Sequence, residues 1–344
     1  VRPLAQEDAP FKSLFTAWDG QYQYVTSHNG KLYFKTTNGA PTGQVIAVDP
    51  EQPAPENWTE IIAPKTHTLK EVSAVGGQLF AHYLQSARSR VAIFDIEGTM
   101  LQELALPGIG SIDGFKGSHK APFKGFTEPC KVYRYQPEQQ RTTLWYETEV
   151  PASLDQYTTE QVVYNSADGT EVPMFLVHHK DLELNGNNPT LLYGYGGFNI
   201  SLTPGYDTTR VVWLEMGGVL AIPNLRGGGE FGEKWHQQGT KENKQNVFDD
   251  FIAAAEWLIN NNYTNKDKLA IQGRSNGGLL VGATMVQRPE LFAAALPAVG
   301  VLDMLRYQLP SANARGWSSE FGLSENEEDF KTLYEYSPVH NTFC

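Results

Sequence analysis

The sequence predicts a chain in two parts: short all-β repeat units up to about residue 150, then an α/β domain on a mostly parallel sheet. Three observations carry this reading. In the first part, a glycine-preceded strand followed by a strand ending in an acid recurs about every 45 residues. In the second part, apolar strands alternate with segments whose apolar residues fall at helical spacing. Between them, around residues 147–160, the repeat stops and an Asp-Gly hairpin signal follows.

The repeat units come first. Lys31-Leu-Tyr-Phe-Lys35 follows a glycine, as does Gln78-Leu-Phe-Ala-His82. Val45-Ile-Ala-Val-Asp49 and Val91-Ala-Ile-Phe-Asp95 are the acid-ended strands, answered in a third unit by Val132-Tyr-Arg-Tyr135. Each unit closes with one more strand: Trp58 to Ile62, Leu101 to Leu106, and Thr142 to Tyr146. Three-strand units with Gly, Pro and Asn turns and no helical period match propeller blades, with an irregular β-sandwich as the competing arrangement. A propeller ring takes about four to eight blades, so further blades are expected upstream of Val1.

In the second part, residues 151–344, Gln161 to Tyr164 and Val172 to His178 flank the turn Ser166-Ala-Asp-Gly-Thr170. Thr190 to Tyr193, Val219 to Pro223, Leu269 to Gln272 and Phe292 to Val301 read as buried strands. Lys244 to Asn261 and Asn276 to Gln287 read as helices. In the first helix Val247, Phe251, Ala254, Ala255 and Leu258 share one face. Strands alternating with helices imply a parallel sheet covered on both faces.

Composition narrows the function. Hydrophobic residues make up 40% of the 344 and charged residues 19%, which suits a packed globular protein and not a disordered one. A net charge of −12 disfavours nucleic acid and anionic membranes as partners. Two cysteines, Cys130 and Cys344, exclude a disulfide scaffold and a cysteine-based zinc site. The longest apolar run, Phe292 to Leu302, is about half of a membrane span. The first residues, Val-Arg-Pro-Leu-Ala, are not a signal peptide and lack an initiator Met, so the chain is expected to begin inside a longer one. A soluble protein, cytoplasmic or periplasmic, is expected.

Gly273-Arg-Ser275-Asn-Gly277 fits G-x-S-x-G, and its setting gives it weight. A strand enters the motif and an apolar helix leaves it, as in the nucleophile elbow of α/β-hydrolases. Ser275 is therefore the candidate nucleophile, seated where a helix N-terminus faces developing negative charge. Gly227-Gly-Gly-Glu-Phe-Gly232 satisfies G-x-G-x-x-G, but no apolar helix face follows it, so a dinucleotide site is set aside. His178-His179 is read as a solvated strand end and Asp249-Asp250 as helix surface.

Gly273-Arg-Ser-Asn-Gly-Gly-Leu-Leu280 resembles the nucleophile segment of prolyl oligopeptidases. Tyr193-Gly-Tyr-Gly-Gly-Phe-Asn199, Asn224-Leu-Arg-Gly-Gly-Gly-Glu-Phe-Gly232 and Asn243-Lys-Gln-Asn-Val-Phe-Asp-Asp250 resemble that family too. So do Val299-Gly-Val-Leu-Asp-Met304 and Tyr336-Ser-Pro-Val-His-Asn341, and the likeness covers nearly the whole chain. The resemblance implies a propeller over an α/β-hydrolase domain and a serine peptidase cutting short peptides after proline, with no cofactor or metal, acting as a monomer. It implies that the Tyr195 hydroxyl and the Asn276 N–H form the oxyanion hole. It also implies that Phe198, Trp317, Phe321 and Val301 line the proline pocket. Phe321 stands where the family usually has tyrosine. A related oligopeptidase cutting after basic residues and a non-catalytic binding protein are the alternatives.

A serine triad also needs a histidine and an acid. After Ser275 the sequence offers His340, which falls in the segment resembling Tyr-Ser-Pro-x-His-Asn, and Asp303; neither is taken as a triad member. The acid and base are expected beyond Cys344 or in another chain, and residues 1–344 alone are expected to be catalytically dead.

Overall fold

The computed structural model describes residues 1–2, 8–310 and 312–342; Cys344 lies outside the described residues. Three four-stranded antiparallel sheets follow one another along the first part. The first contains β1 (Tyr22–His28), β2 (Lys31–Thr36), β3 (Gln44–Val48) and β4 (Thr59–Ile62). The second contains β5 (Thr68–Val75), β6 (Gln78–Gln85), β7 (Arg88–Asp95) and β8 (Met100–Leu104). The third contains β9 (Ser111–Ile112), β10 (Lys120–Lys124), β11 (Lys131–Gln136) and β12 (Arg141–Glu147). Each unit thus has four strands where the sequence reading found at most three. In the second unit the missed β5 carries a register shift between Leu69 and Glu71, which breaks its alternation. In the third unit β9 is two residues long, too short to show a period.

The units stack face to face because successive side chains of a strand point to opposite faces. On β6, Leu79, Ala81 and Tyr83 pack with Tyr33, Val45 and Ile62 of the first sheet. Phe80, between them, packs with Phe115, Phe123 and Tyr135 of the third unit. The middle sheet is buried on both sides, as a propeller blade is between its neighbours.

The α/β part is one six-stranded sheet in the order β13-β14-β16-β15-β17-β18. Its strands are β13 (Tyr157–Asn165), β14 (Glu171–His179), β15 (Thr190–Tyr193), β16 (Val219–Pro223), β17 (Leu269–Arg274) and β18 (Ala294–Ala298). β13, β14 and β16 pair antiparallel, while β16, β15, β17 and β18 run parallel. Seven helices lie among the described residues: α1 (Thr208–Glu215), α2 (Glu233–Gln237), α3 (Gln245–Asn260), α4 (Asn276–Gln287), α5 (Ala312–Arg315), α6 (Ser318–Phe321) and α7 (Glu327–Tyr336).

The strand periodicity divides the two faces. Met174, Leu176, Val219 and Ala221 pack under α3 and α4 with Phe248, Phe251, Leu258 and Leu280. Phe175, Val177, Leu220 and Ile222 face the other way, onto Leu214 of α1 and onto Ala87 and Phe126 from the first part. Three sequence expectations need correction. β18 is shorter than the expected strand and half exposed, because it lies at the sheet edge and pairs only with β17 among the described strands. Asp250 is not on the helix surface: it is fully buried, with Oδ1 accepting from the Arg226 Nη2 at 2.6 Å. His178 is not solvated at a strand end, since its ring is nearly buried against Glu160 at 2.8 Å.

The glycine-rich turn 227–232 bridges the two parts. The Thr68 hydroxyl donates to the Glu230 carbonyl at 3.1 Å, and the Glu233 N–H donates to the Pro41 carbonyl at 3.1 Å. The Glu230 side chain is buried, with Oε1 accepting from the Leu202 N–H at 2.8 Å and Oε2 unpartnered among the described residues. Burial pushes this carboxyl up to about 7 despite the opposing Leu202, Asn224 and Lys70. The folded state therefore holds a proton that the unfolded chain has released, and stability falls as pH rises from about 4.5 to about 7. The expected slope from this group is at most about 1.4 kcal/mol per pH unit. Urea unfolding across that range should show this part of the slope disappearing in Glu230→Gln; an identical slope in the variant would show an ordinary carboxylate.

Candidate active site

Sheet register builds the site. β15 and β17 are parallel neighbours with Tyr193 opposite Gln272, and the Gly194 N–H donates to the Gln272 carbonyl at 3.1 Å. One strand therefore delivers Tyr195 and the next Ser275 to the same carboxyl edge. The connection from β15 leads to β16 on one side and the later connections lead to β17 and β18 on the other. Such a reversal opens a crevice beyond the strand ends, where α/β proteins place ligands.

Ser275 stands exposed between β17 and α4 at φ 58°, ψ −116°. That backbone is unfavourable for a residue with a Cβ and is held by its surroundings. The Ser275 N–H donates to the Ala298 carbonyl at 2.9 Å, and the Gly278 N–H donates to the Ser275 carbonyl at 2.8 Å. A Cβ on Gly273 would strike the Gly277 carbonyl, and one on Gly277 would strike the Gly194 carbonyl. Both glycines are thus required by close approach, as the motif anticipated. Asn276 opens α4, where the first backbone N–H groups have no carbonyl one turn earlier to bind.

The Tyr195 phenol is half-buried and lies beside the Ser275 side chain. Burial raises its pKa above the usual value and outweighs the opposing pull of Ser275, so it stays a neutral donor near pH 7. Its loop is irregular, with Gly196, Phe198 and Asn199 all at positive φ. The Asn276 Nδ2 donates to the Tyr195 carbonyl at 2.5 Å, tying the loop to the residue after the nucleophile.

Phe198 continues into an aromatic wall. Its ring meets Phe321 edge-on at 5.5 Å, Phe321 meets Tyr307 at 5.5 Å, and Tyr307 stacks parallel to Trp317 at 6.5 Å. Phe321 is buried and Trp317 is 36% exposed, so the wall has one open end. Val301 is half-buried against the main core of the sheet. Tyr307, absent from the sequence reading, is the link between Trp317 and Phe321. Its hydroxyl donates to the Gly322 carbonyl.

Also missed were Lys244, His236 and Glu320, which form a buried ionic cluster behind the wall. The Lys244 ammonium donates to Glu320 Oε1 at 2.9 Å, and His236 Nε2 contacts Glu320 Oε2 at 3.0 Å. Burial alone would lower His236, but Glu233 and Glu320 outweigh it and raise it to about 9. These residues are separated in sequence by up to 84 positions, so spacing gave no sign of them. Asp303 and His340 are engaged elsewhere: Asp303 pairs with Arg306, and His340 Nδ1 contacts the Ser337 hydroxyl at 2.8 Å. The glycine-rich turn is closed by protein, Gly227 lying against Gly196 and Gly197, and Gly229 against Asn199.

A serine on a strained strand-to-helix turn, facing a neutral phenol on the adjacent strand end, defines an α/β-hydrolase. Comparison with known proteins narrows the class. Residues 1–148 match the family model described as "Prolyl oligopeptidase, N-terminal beta-propeller domain", and residues 204–343 match "Prolyl oligopeptidase family". The chain belongs to the prolyl oligopeptidase family of serine peptidases. It is 42% identical over 337 residues to a prolyl endopeptidase of Elizabethkingia miricola, covering 96% of this chain and 48% of that protein. A solved structure from a study of two prolyl endopeptidases superposes with TM-score 0.91 at 45% identity, covering 95% of this chain and 49% of that one. Prolyl oligopeptidase B from Galerina marginata, bound to a 35-residue hydrolysis and macrocyclization substrate, superposes at TM-score 0.90 and 35% identity, covering 96% and 48%. The chain spans about half the length of the curated relatives it matches. Among the described residues, no helix is long and apolar enough to cross a membrane.

Proposed function

We propose that the whole protein hydrolyses short peptides on the carboxyl side of proline through an acyl-enzyme on Ser275. The observation that carries this is the placement of Ser275, on its strained turn, and Tyr195 at the ends of adjacent parallel strands. Ser275 Oγ attacks the carbonyl carbon while the Tyr195 hydroxyl and the Asn276 N–H receive the oxyanion. A histidine, oriented by an acid, must take the serine proton and return it to the leaving amine. Asp303 and His340, engaged elsewhere, are not assigned that task. We also take the blade part and the peptidase part to divide at about residue 150, where the repeat gives way to the sheet.

Proline has no N–H to recognise, so a pocket selects it by contact with its flat ring. Phe198, Trp317 and Phe321 offer that surface, with Val301 as a further lining residue. Specificity for basic residues would want a free acid at the wall. Glu320, which borders it, is already paired with Lys244 and His236. Reporter peptides with proline or arginine before the scissile bond test the reading. The expected kcat/KM is at least about 100-fold higher for proline, a large discrimination for an apolar pocket. Preference for arginine would contradict it, and turnover of neither would favour a binding protein.

A further inference from the structure

We infer that Lys244 and Glu320 are positioning residues for this reaction, holding the loop 195–198 so that the Tyr195 hydroxyl stays aimed at the oxyanion. The inference rests on the reading of Tyr195 as oxyanion donor.

The loop has no ladder or helix to satisfy its backbone, and buried peptide groups must find partners. Side chains supply them at two successive carbonyls. Asn276 Nδ2 donates to the Tyr195 carbonyl at 2.5 Å, and the Lys244 ammonium donates to the Gly196 carbonyl at 3.2 Å. The Glu320 carboxylate lies beside the Phe198 backbone N–H, which favours its charged form. Gly197 is wedged between Asn276 and Glu320: a Cβ there would lie 2.6 Å from Asn276 Nδ2 and 2.8 Å from Glu320 Oε1. A side chain at this position would crowd both groups, so the loop packs directly against them.

Lys244 and Glu320 are each at most 2% exposed. A buried ion pair is a poor device for stability, since desolvation offsets much of its attraction and an apolar pair of equal volume often does as well. What an apolar pair could not do is donate to the Gly196 carbonyl and set a carboxylate beside the Phe198 N–H. The cluster is balanced in charge, with Lys244 and His236 facing Glu320 and Glu233. It also reaches the aromatic wall. The Lys244 ammonium sits 5.3 Å from the Phe321 ring centroid, and Glu320 precedes Phe321 on α6. One ion pair thus fixes the oxyanion loop and the pocket wall relative to each other.

A double-substitution cycle on the whole protein tests this, using Lys244→Met, Tyr195→Phe and their combination on a proline reporter. Lys244→Met is expected to lower kcat by about 10- to 100-fold, the scale of a displacement of roughly 1 Å in a catalytic group. KM should stay within about threefold, because Lys244 itself does not touch the substrate and the packed rings of the wall hold one another. In the Tyr195→Phe background the same substitution should lower kcat by less than about twofold, since the group it positions is gone. Equal losses in both backgrounds, or an unchanged kcat, would overturn the inference while leaving the oxyanion reading intact. An unchanged kcat in Tyr195→Phe alone would remove that reading, and the inference with it. If Lys244→Met does not fold, Lys244→Met/Glu320→Gln, which removes both charges together, enters the same cycle. Failure of both to fold would assign the pair to stability and overturn the proposal.

Discussion

Replacing Ser275 with alanine in the whole protein is expected to lower turnover of a proline reporter by about 10⁴- to 10⁶-fold, as loss of a serine nucleophile does elsewhere. The fold should survive. The backbone of the elbow is held by the Ala298 carbonyl and by glycines pressed against neighbouring carbonyls, none of which involves the Ser275 hydroxyl. Alanine can occupy φ 58° at the same cost as serine, so the melting temperature should move by no more than about 2 °C. Residual turnover within tenfold of the parent, by a pure and folded variant, would mean that another residue attacks the substrate.

Tyr195→Phe is expected to lower kcat by roughly 10²- to 10³-fold with little change in KM, the usual effect of losing one oxyanion donor. The phenol is neutral before the reaction begins, since an ordinary tyrosine is protonated near pH 7 and burial raises its pKa further. Its bond to the carbonyl oxygen strengthens as that oxygen becomes anionic, so its loss weighs on the transition state more than on bound substrate. Phenylalanine keeps the ring and its packing in the loop. Steady-state kinetics on one proline reporter separate the cases: a raised KM at unchanged kcat would make Tyr195 a binding residue instead.

Most of the strand and helix order was legible because it rests on local signals. Val172, Met174 and Leu176 alternate with Phe175 and Val177 along β14, and this period places each set on its own face of the sheet. The elbow was legible for a similar reason, since Gly273, Ser275 and Gly277 lie within five residues between a strand and a helix. What the sequence hid is what depends on partners far along the chain. Asp250 stands three residues after Val247 and four before Ala254, beside the apolar face, but an acid there reads as surface. Only the arrival of Arg226, 24 residues earlier, makes its burial tolerable. Glu320 meets Lys244 across 76 residues, and no local period marks either. β1 was missed because its residues, Tyr-Gln-Tyr-Val-Thr-Ser-His, are half polar and partly exposed, leaving little contrast between its faces. β18 misled in the opposite direction, being apolar in sequence yet half exposed at the sheet edge.

The most direct measurement is mass mapping of the whole protein after labelling with a fluorophosphonate, which forms a covalent bond with an activated serine. The expected result is one modified peptide carrying the label on Ser275, with labelling slowed by a competing proline peptide and absent in Ser275→Ala. A label on a different residue, or an active preparation in which Ser275 stays unmodified, would contradict the assignment of Ser275 as the nucleophile.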